Sequence, residues 1–247
     1  MEDVRNRGQQ ILADFNRRCI VPAQAVHVFP DMRTVFLVCC IANLVPSLGL
    51  LLVHATNRTY PGFRQWAMAS STAFVSLLLL ANLNLLPERL GIILINLTFF
   101  GYPLLLARGF RAFAGRPPQN WIALLVLPAV AAIAIFFTYV RPDANTRVFL
   151  LSSVLVLLFF DCARLVRSVR LFAHPAIKAS LIGTFGLLVL WNLLRVPLTV
   201  GLPGWSAAQL APPLVQAITL ILTTAANIGI SLNVILLNFA QVSASLR

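Results

Sequence analysis

Seven long apolar runs, separated by short arginine-bearing loops, occupy almost everything after residue 32. A helix needs about 20 mostly apolar residues to cross a hydrocarbon core of about 30 Å. Lipid offers no hydrogen-bond partners, so a spanning backbone must satisfy itself, and each run is read as a helix. The runs fall at 33–55, 63–85, 89–110, 119–140, 145–168, 177–200 and 212–240. The fold class that follows is all-α: a polytopic membrane protein, a bundle of seven transmembrane helices. Function then has to be sought in the loops, in polar residues within the spans, and at the chain ends.

Composition supports this reading. Of 247 residues, 59% are hydrophobic and 11% charged, where a soluble domain carries roughly 25% charged residues. The formal net charge of +12 does not imply a nucleic-acid partner, because basic residues collect at the cytoplasmic ends of spans. All but Lys178 of the 19 basic residues are arginine. Residues 1–32 contain no continuous apolar stretch of signal-peptide type, so the first span is expected to serve as the insertion signal. The four cysteines, Cys19, Cys39, Cys40 and Cys162, form no CxxC pair and no zinc-ligand spacing. They read as small packing residues.

Turn chemistry punctuates the loops at Pro61-Gly62, Pro87, Pro117-Pro118, Pro142, Pro175 and Pro203-Gly204. Pro46, Pro103, Pro128 and Pro197 fall inside spans, where kinks are expected. Trp66, Trp121 and Trp205 fall near span ends, as an aromatic belt would place them. One side of the bilayer receives Arg58, Arg64, Arg108, Arg111, Arg116, Arg164, Arg167, Arg170, Lys178 and Arg247. The other receives Arg89, Arg141, Arg147 and Arg195, together with the amino-terminal tail and its Arg5, Arg7, Arg17, Arg18 and Arg33. Because Arg5 and Arg7 lie far from the first span, the rule places the carboxyl end in the cytoplasm and the amino end outside. The expected location is the bacterial inner membrane. Three segments follow: a tail over 1–32, the bundle over 33–240, and the start of a cytoplasmic connector helix over 241–247. Within the tail, residues 9–21 read either as an interfacial amphipathic helix, with Ile11, Leu12, Phe15 and Cys19 on one face, or as disordered chain.

Polar groups inside a span are costly, so those present are candidates for function. Gln216, Thr219, Thr223, Asn227 and Ser231 recur at spacings of three and four in the seventh run and share one face. Asn43 with Ser47 in the first run, Asn96 in the third and Asn192 in the sixth can point to the same interior. Two readings stand: a polar pocket for a small hydrophobic ligand, or interhelical hydrogen bonds worth about 0.6 kcal/mol each. Arg195 lies near the outer end of the sixth run, where it either snorkels to the interface or pairs with Glu88 or Asp143. Asp161 and Arg164, three apart, are expected to form a local ion pair. Small residues Ala67, Ala69, Ser70, Ser71 and Ala73 line part of the second run, for packing within the bundle or for a homodimer contact.

His27, His54 and His174 form no ligand constellation, so no metal is expected. The sequence holds no phosphate loop, no HExxH, no GxSxG and no paired carboxylates. No enzymatic activity and no cofactor are expected. A retinal protein is excluded by the absence of lysine from the seventh run, and a G-protein-coupled receptor by the absence of Asp-Arg-Tyr and Asn-Pro-x-x-Tyr.

Three segments carry a family resemblance: Asp31-Met32-Arg33-Thr34; Tyr60-Pro61-Gly62-Phe63-Arg64-Gln65-Trp66-Ala67; and Arg108-Gly109-Phe110-Arg111-Ala112-Phe113-Ala114-Gly115-Arg116-Pro117. In order and spacing they resemble the amino-terminal membrane region of bacterial diguanylate cyclases, the GGDEF proteins. The resemblance implies a sensory input module whose last span runs into a cytoplasmic helix and then an output domain making cyclic di-GMP. No Gly-Gly-Asp/Glu-Glu-Phe motif occurs in these residues, so no catalytic residue carries over. The expected function is signal transduction from the membrane to an output domain absent from this chain. The alternatives are a small transporter or channel-like protein and a non-catalytic membrane scaffold.

Overall fold

The computed structural model of the chain describes residues 32–57, 59–141, 143–169, 175–200 and 213–245. The amphipathic helix considered over 9–21 lies outside them, as do Trp205, His27, His174 and Cys19. Seven long helices follow in chain order: α1 Met32–Thr56, α2 Phe63–Ala81, α3 Glu88–Phe113, α4 Asn120–Ile135, α5 Ala144–Ser168, α6 Pro175–Val200 and α7 Pro213–Ser245. A 3-10 turn at Leu83–Leu85 separates α2 from α3, and α4 continues into a π-helical turn, Phe136–Val140. Among the described residues six helices are long and apolar enough to cross a membrane, and α2 is the exception. The chain is an all-α, multi-pass membrane protein.

The second run was expected to stay helical to residue 85, but α2 ends at Ala81. Pro87 sets the limit: the residue before it, Leu86, is extended, and Leu83–Leu85 close the run as a 3-10 turn. The seventh run, read over 212–240 with a further helix starting at 241, is one continuous helix to Ser245, since Gln241-Val242-Ser243-Ala244 contains no glycine or proline to break it.

Each helix packs on its neighbours: α1 on α2, α2 on α3, α3 on α5, α5 on α6 and α6 on α7. Helix α7 returns onto α1, closing a ring of six, and α4 lies outside it against α3 and α5. The polarity of α1 shows which solvent this arrangement suits. Its exposed face carries Leu37, Ile41, Val45, Leu48 and Leu52, while Asn43 and Ser47 are buried. A soluble helix has the opposite pattern. Here apolar side chains face lipid and polar ones face protein, where partners exist.

Two of the segments that carry the family resemblance, 60–67 and 108–117, pack against one another at the end of the bundle where α3 finishes and α7 finishes. Gly62 has φ +99 and lies so close to Gly109 that a Cβ on it would run into the Gly109 carbonyl. A Cβ on Gly109 would in turn strike the Trp66 indole. Small residues at both positions let α2 and α3 approach closely, and the aromatics fill the space beside them. Trp66 is tilted against Phe110 and Phe113, with ring centroids 5.1 and 5.6 Å apart. Trp66 is 1% exposed, which corrects its expected place in an aromatic belt: the span end is covered by α3, so the indole turns inward. Trp121, 59% exposed, does lie on the surface.

Candidate functional site

Three places along α7 account for the polar residues singled out in the spans. The first is a cavity of about 90 Å³ near the start of α7, between α2, α3, α5, α6 and α7. Asn96 of α3, Arg147 of α5, Arg195 of α6, and Gln216 and Thr219 of α7 supply its polar lining. Leu80, Ile92, Phe99, Phe100, Leu151 and Leu155 supply much of the apolar lining. A small apolar-walled cleft with a few convergent polar groups is the usual form of a ligand site.

Local structure holds these side chains. Asp143 caps α5, accepting from the Thr146 backbone N–H at 3.0 Å and from the Thr146 hydroxyl at 2.6 Å. Those bonds hold its carboxyl below the ordinary carboxylate range. The cap sets the first turn of α5, one turn before Arg147, which donates through Nη1 to Thr138 Oγ1 at 2.8 Å. Thr138 belongs to the π-helical turn that ends α4, and such turns recur at functional sites. Arg147 is 3% exposed. Across the cavity, Arg195 Nε is buried with no hydrogen-bond partner. Of the readings offered for Arg195, the pair with Asp143 does not form: both Asp143 oxygens bond Thr146 in the helix cap. Among the described residues no carboxylate is within ion-pair distance of Arg195; the Glu88 side chain lies outside them.

One turn along α7, Thr219 accepts from Trp191 Nε1 of α6 at 3.1 Å and donates to the Val215 carbonyl at 2.6 Å. Asn96 and Asn192 each return one amide N–H to their own helix, to the carbonyls of Ile92 and Leu188 at 2.8 Å. Asn96 lines the cavity and Asn192 does not.

The second place is a hydrogen-bonded knot in mid-helix. Asn227 Nδ2 donates to Asn43 Oδ1 at 2.8 Å and to Ser70 Oγ at 3.2 Å. Asn43 Nδ2 donates to Thr224 Oγ1 at 2.8 Å. Ser47 donates to the Ser70 carbonyl at 2.9 Å, so α1, α2 and α7 are tied together. Thr223 lies beside this knot on a void of about 20 Å³, and Ser231 is buried one turn further along. The seventh-helix stripe is therefore not one pocket. Gln216 and Thr219 line a cavity, whereas Asn227 is spent on packing with Asn43.

The third place is the far end, where the Tyr60 backbone N–H donates to Asn238 Oδ1 at 3.0 Å and the Tyr60 hydroxyl to the Gln241 carbonyl at 3.3 Å. At the same end Asp161 bridges two arginines. Arg164 Nη2 lies 2.7 Å from Asp161 Oδ1, and Arg111 Nη2 lies 3.0 Å from Asp161 Oδ2. The sequence suggested the first contact by its spacing of three; the second joins residues fifty apart. Arg111 and Asp161 edge a further cavity of about 230 Å³ under α4, and the buried arginine there is already neutralised. Three cysteines, Cys39, Cys40 and Cys162, are buried and free, and no metal-binding group of side chains occurs among the described residues.

Arg147, Thr138, Trp191, Ser70 and Thr224 are the residues that reading the sequence left out of the site. Arg147 had a signal available: with Leu151 and Leu155 it recurs every four residues on the inward face of α5, and all three line the cavity. Compared with known proteins, the chain matches no family model, no curated protein and no solved structure.

Proposed function

We propose that this chain is a membrane-embedded sensory input module, in which a ligand received by the cavity at the start of α7 biases that helix. Its far end would pass the change to a cytoplasmic output domain joined to it. One observation carries the reading. The same helix that supplies Gln216 and Thr219 to the cavity supplies Asn238 and Gln241 to Tyr60 about 20 residues later. Helix α7 spans 33 residues, about 50 Å at 1.5 Å per residue, which exceeds the hydrocarbon thickness. No proline interrupts it after Pro213, so a shift at one end is not absorbed by a kink on the way.

The resemblance to the membrane region of GGDEF proteins agrees with this reading, since the Tyr60 segment that meets α7 is one of the segments that carry it. The knot at Asn43, Ser70, Thr224 and Asn227 is then the fulcrum: it ties α7 to α1 and α2 between the two working ends. The test is to fuse a reporter output domain after Arg247 and to compare wild type with Asn227→Leu and Thr223→Leu. Altered basal or stimulated output in well-expressed variants is expected. Unchanged output would remove the sensory role, and substrate flux in proteoliposomes would move the assignment to transport.

A further inference from the structure

If the cavity is where the signal enters, as proposed above, its chemistry also says what kind of molecule enters. Arg147 and Arg195 line one cavity, and each lies within a helix that spans the membrane. Arg147 lies in the first turns of α5 and Arg195 near the end of α6, where an arginine ordinarily reaches out to the interface; here Arg147 is buried instead, and two like charges around a small space add repulsion. Across the bundle, Arg111 shows the ordinary solution, a carboxylate at 3.0 Å. Arg195 has no such carboxylate within ion-pair distance among the described residues, and its Nε is a buried donor without an acceptor. Arg147 is held in place by Thr138, so the cationic wall is fixed before any ligand arrives.

We infer that the cavity binds the anionic head, a carboxylate or phosphate, of an amphiphile whose apolar part lies against Phe99, Phe100, Ile92 and Leu80. Guanidinium groups are suited to such heads, which they grip through paired N–H donors. Asn96 and Gln216 offer further hydrogen bonds, and the remaining wall is apolar. A cavity of about 90 Å³ has room for several waters, on the order of six, which matches a head with a short alkyl chain better than an inorganic ion. The same chemistry is available from a free medium-chain carboxylate in the membrane and from the phosphate end of an anionic lipid.

The test is a titration of the whole chain, reconstituted in phosphatidylcholine nanodiscs, with labelled octanoate. Saturable binding above that of empty nanodiscs is expected. Octanol, with the same tail and no charge, should not compete. Arg195→Gln and Arg147→Gln should each bind about tenfold more weakly, and Arg141→Gln, an exposed arginine at the same end, should bind as wild type does. A second preparation containing phosphatidylglycerol separates the sources. Displacement of octanoate there assigns a lipid head group, and undiminished binding assigns a free carboxylate. Unsaturable uptake, equal competition by octanol, or binding of inorganic phosphate alone would overturn the proposal, and the octanol comparison needs no variant to fold. Octanoate binding together with unchanged reporter output in Asn227→Leu would keep the ligand and remove the sensory role.

Discussion

The two ends of α7 are built on opposite terms. At its finish, Trp66, Phe110 and Phe113 pack around Gly62 and Gly109 with no room for a methyl group, and Tyr60 is tied to Asn238. At its start, two arginines, an asparagine and a glutamine surround empty space, and one buried donor lacks a partner. Buried donors without a partner occur at both ends, Trp66 Nε1 and Asn238 Nδ2 at the finish and Arg195 Nε at the start; only at the start does a cavity lined by two cations leave chemistry available, at a cost to stability. Proteins keep such costs where a ligand or partner repays them.

The sharpest way to break this contrast is to enlarge a glycine at the packed end. Gly109→Val should destabilise the bundle by about 3 kcal/mol, the upper part of the usual overpacking range, measured by unfolding in mixed SDS micelles. Gly101→Val at a site with open space should cost far less. Equal losses would mean that the close approach of α2 and α3 does not hold that end. In the knot between the ends, Asn227→Leu should cost on the order of 1 kcal/mol. A double-mutant cycle with Asn43→Leu should give a coupling near 0.6 kcal/mol, the usual size of an interhelical hydrogen bond. A coupling of zero would remove the fulcrum.

At the open end the sign should reverse. Arg195→Gln is expected to leave the ligand-free protein as stable as wild type, or to stabilise it by about 1 kcal/mol, because it removes a charge that the bundle does not pair. A loss of several kcal/mol would show instead that Arg195 is structural. The smallest effect is expected from acid. The Asp143 carboxyl is held below its ordinary value by its bonds to Thr146, so the cap contributes fully at neutral pH. That contribution declines as pH falls through the carboxylate range, below about 4. Asp143→Asn should flatten this part of the stability-against-pH curve, read by the same unfolding assay between pH 7 and 3.

Hydropathy and turn residues made the helices legible because a span must be both long and apolar, and both properties are local; α2 was found as a helix, but its 19 residues fall short of that test. The early end of α2 has a local cause too: Pro87 holds Leu86 extended, so the run closes in a 3-10 turn after Ala81. The site was less legible. A stripe such as Gln216, Thr219, Thr223, Asn227 and Ser231 states which face is inward, but not what stands opposite each residue. Asn227 meets Asn43 from α1, 184 residues away, whereas Gln216 meets space. Trp66 was misread for the same reason. Its place near a span end was correct, but whether α3 covers that end depends on Gly109, more than forty residues on.

Helix α4 stands apart from these arguments, since 11% of its most apolar stretch is buried in the bundle, against 44% for α3 and α7. Its retention is a matter of partitioning into oil rather than of shape complementarity. The medium used to extract the protein therefore becomes a structural variable. A short-chain detergent that covers the outer surface poorly should release α4 before any other helix, and with it the Thr138 hydroxyl that steadies Arg147. Preparations identical in mass and helix content could then differ in whether they hold a ligand.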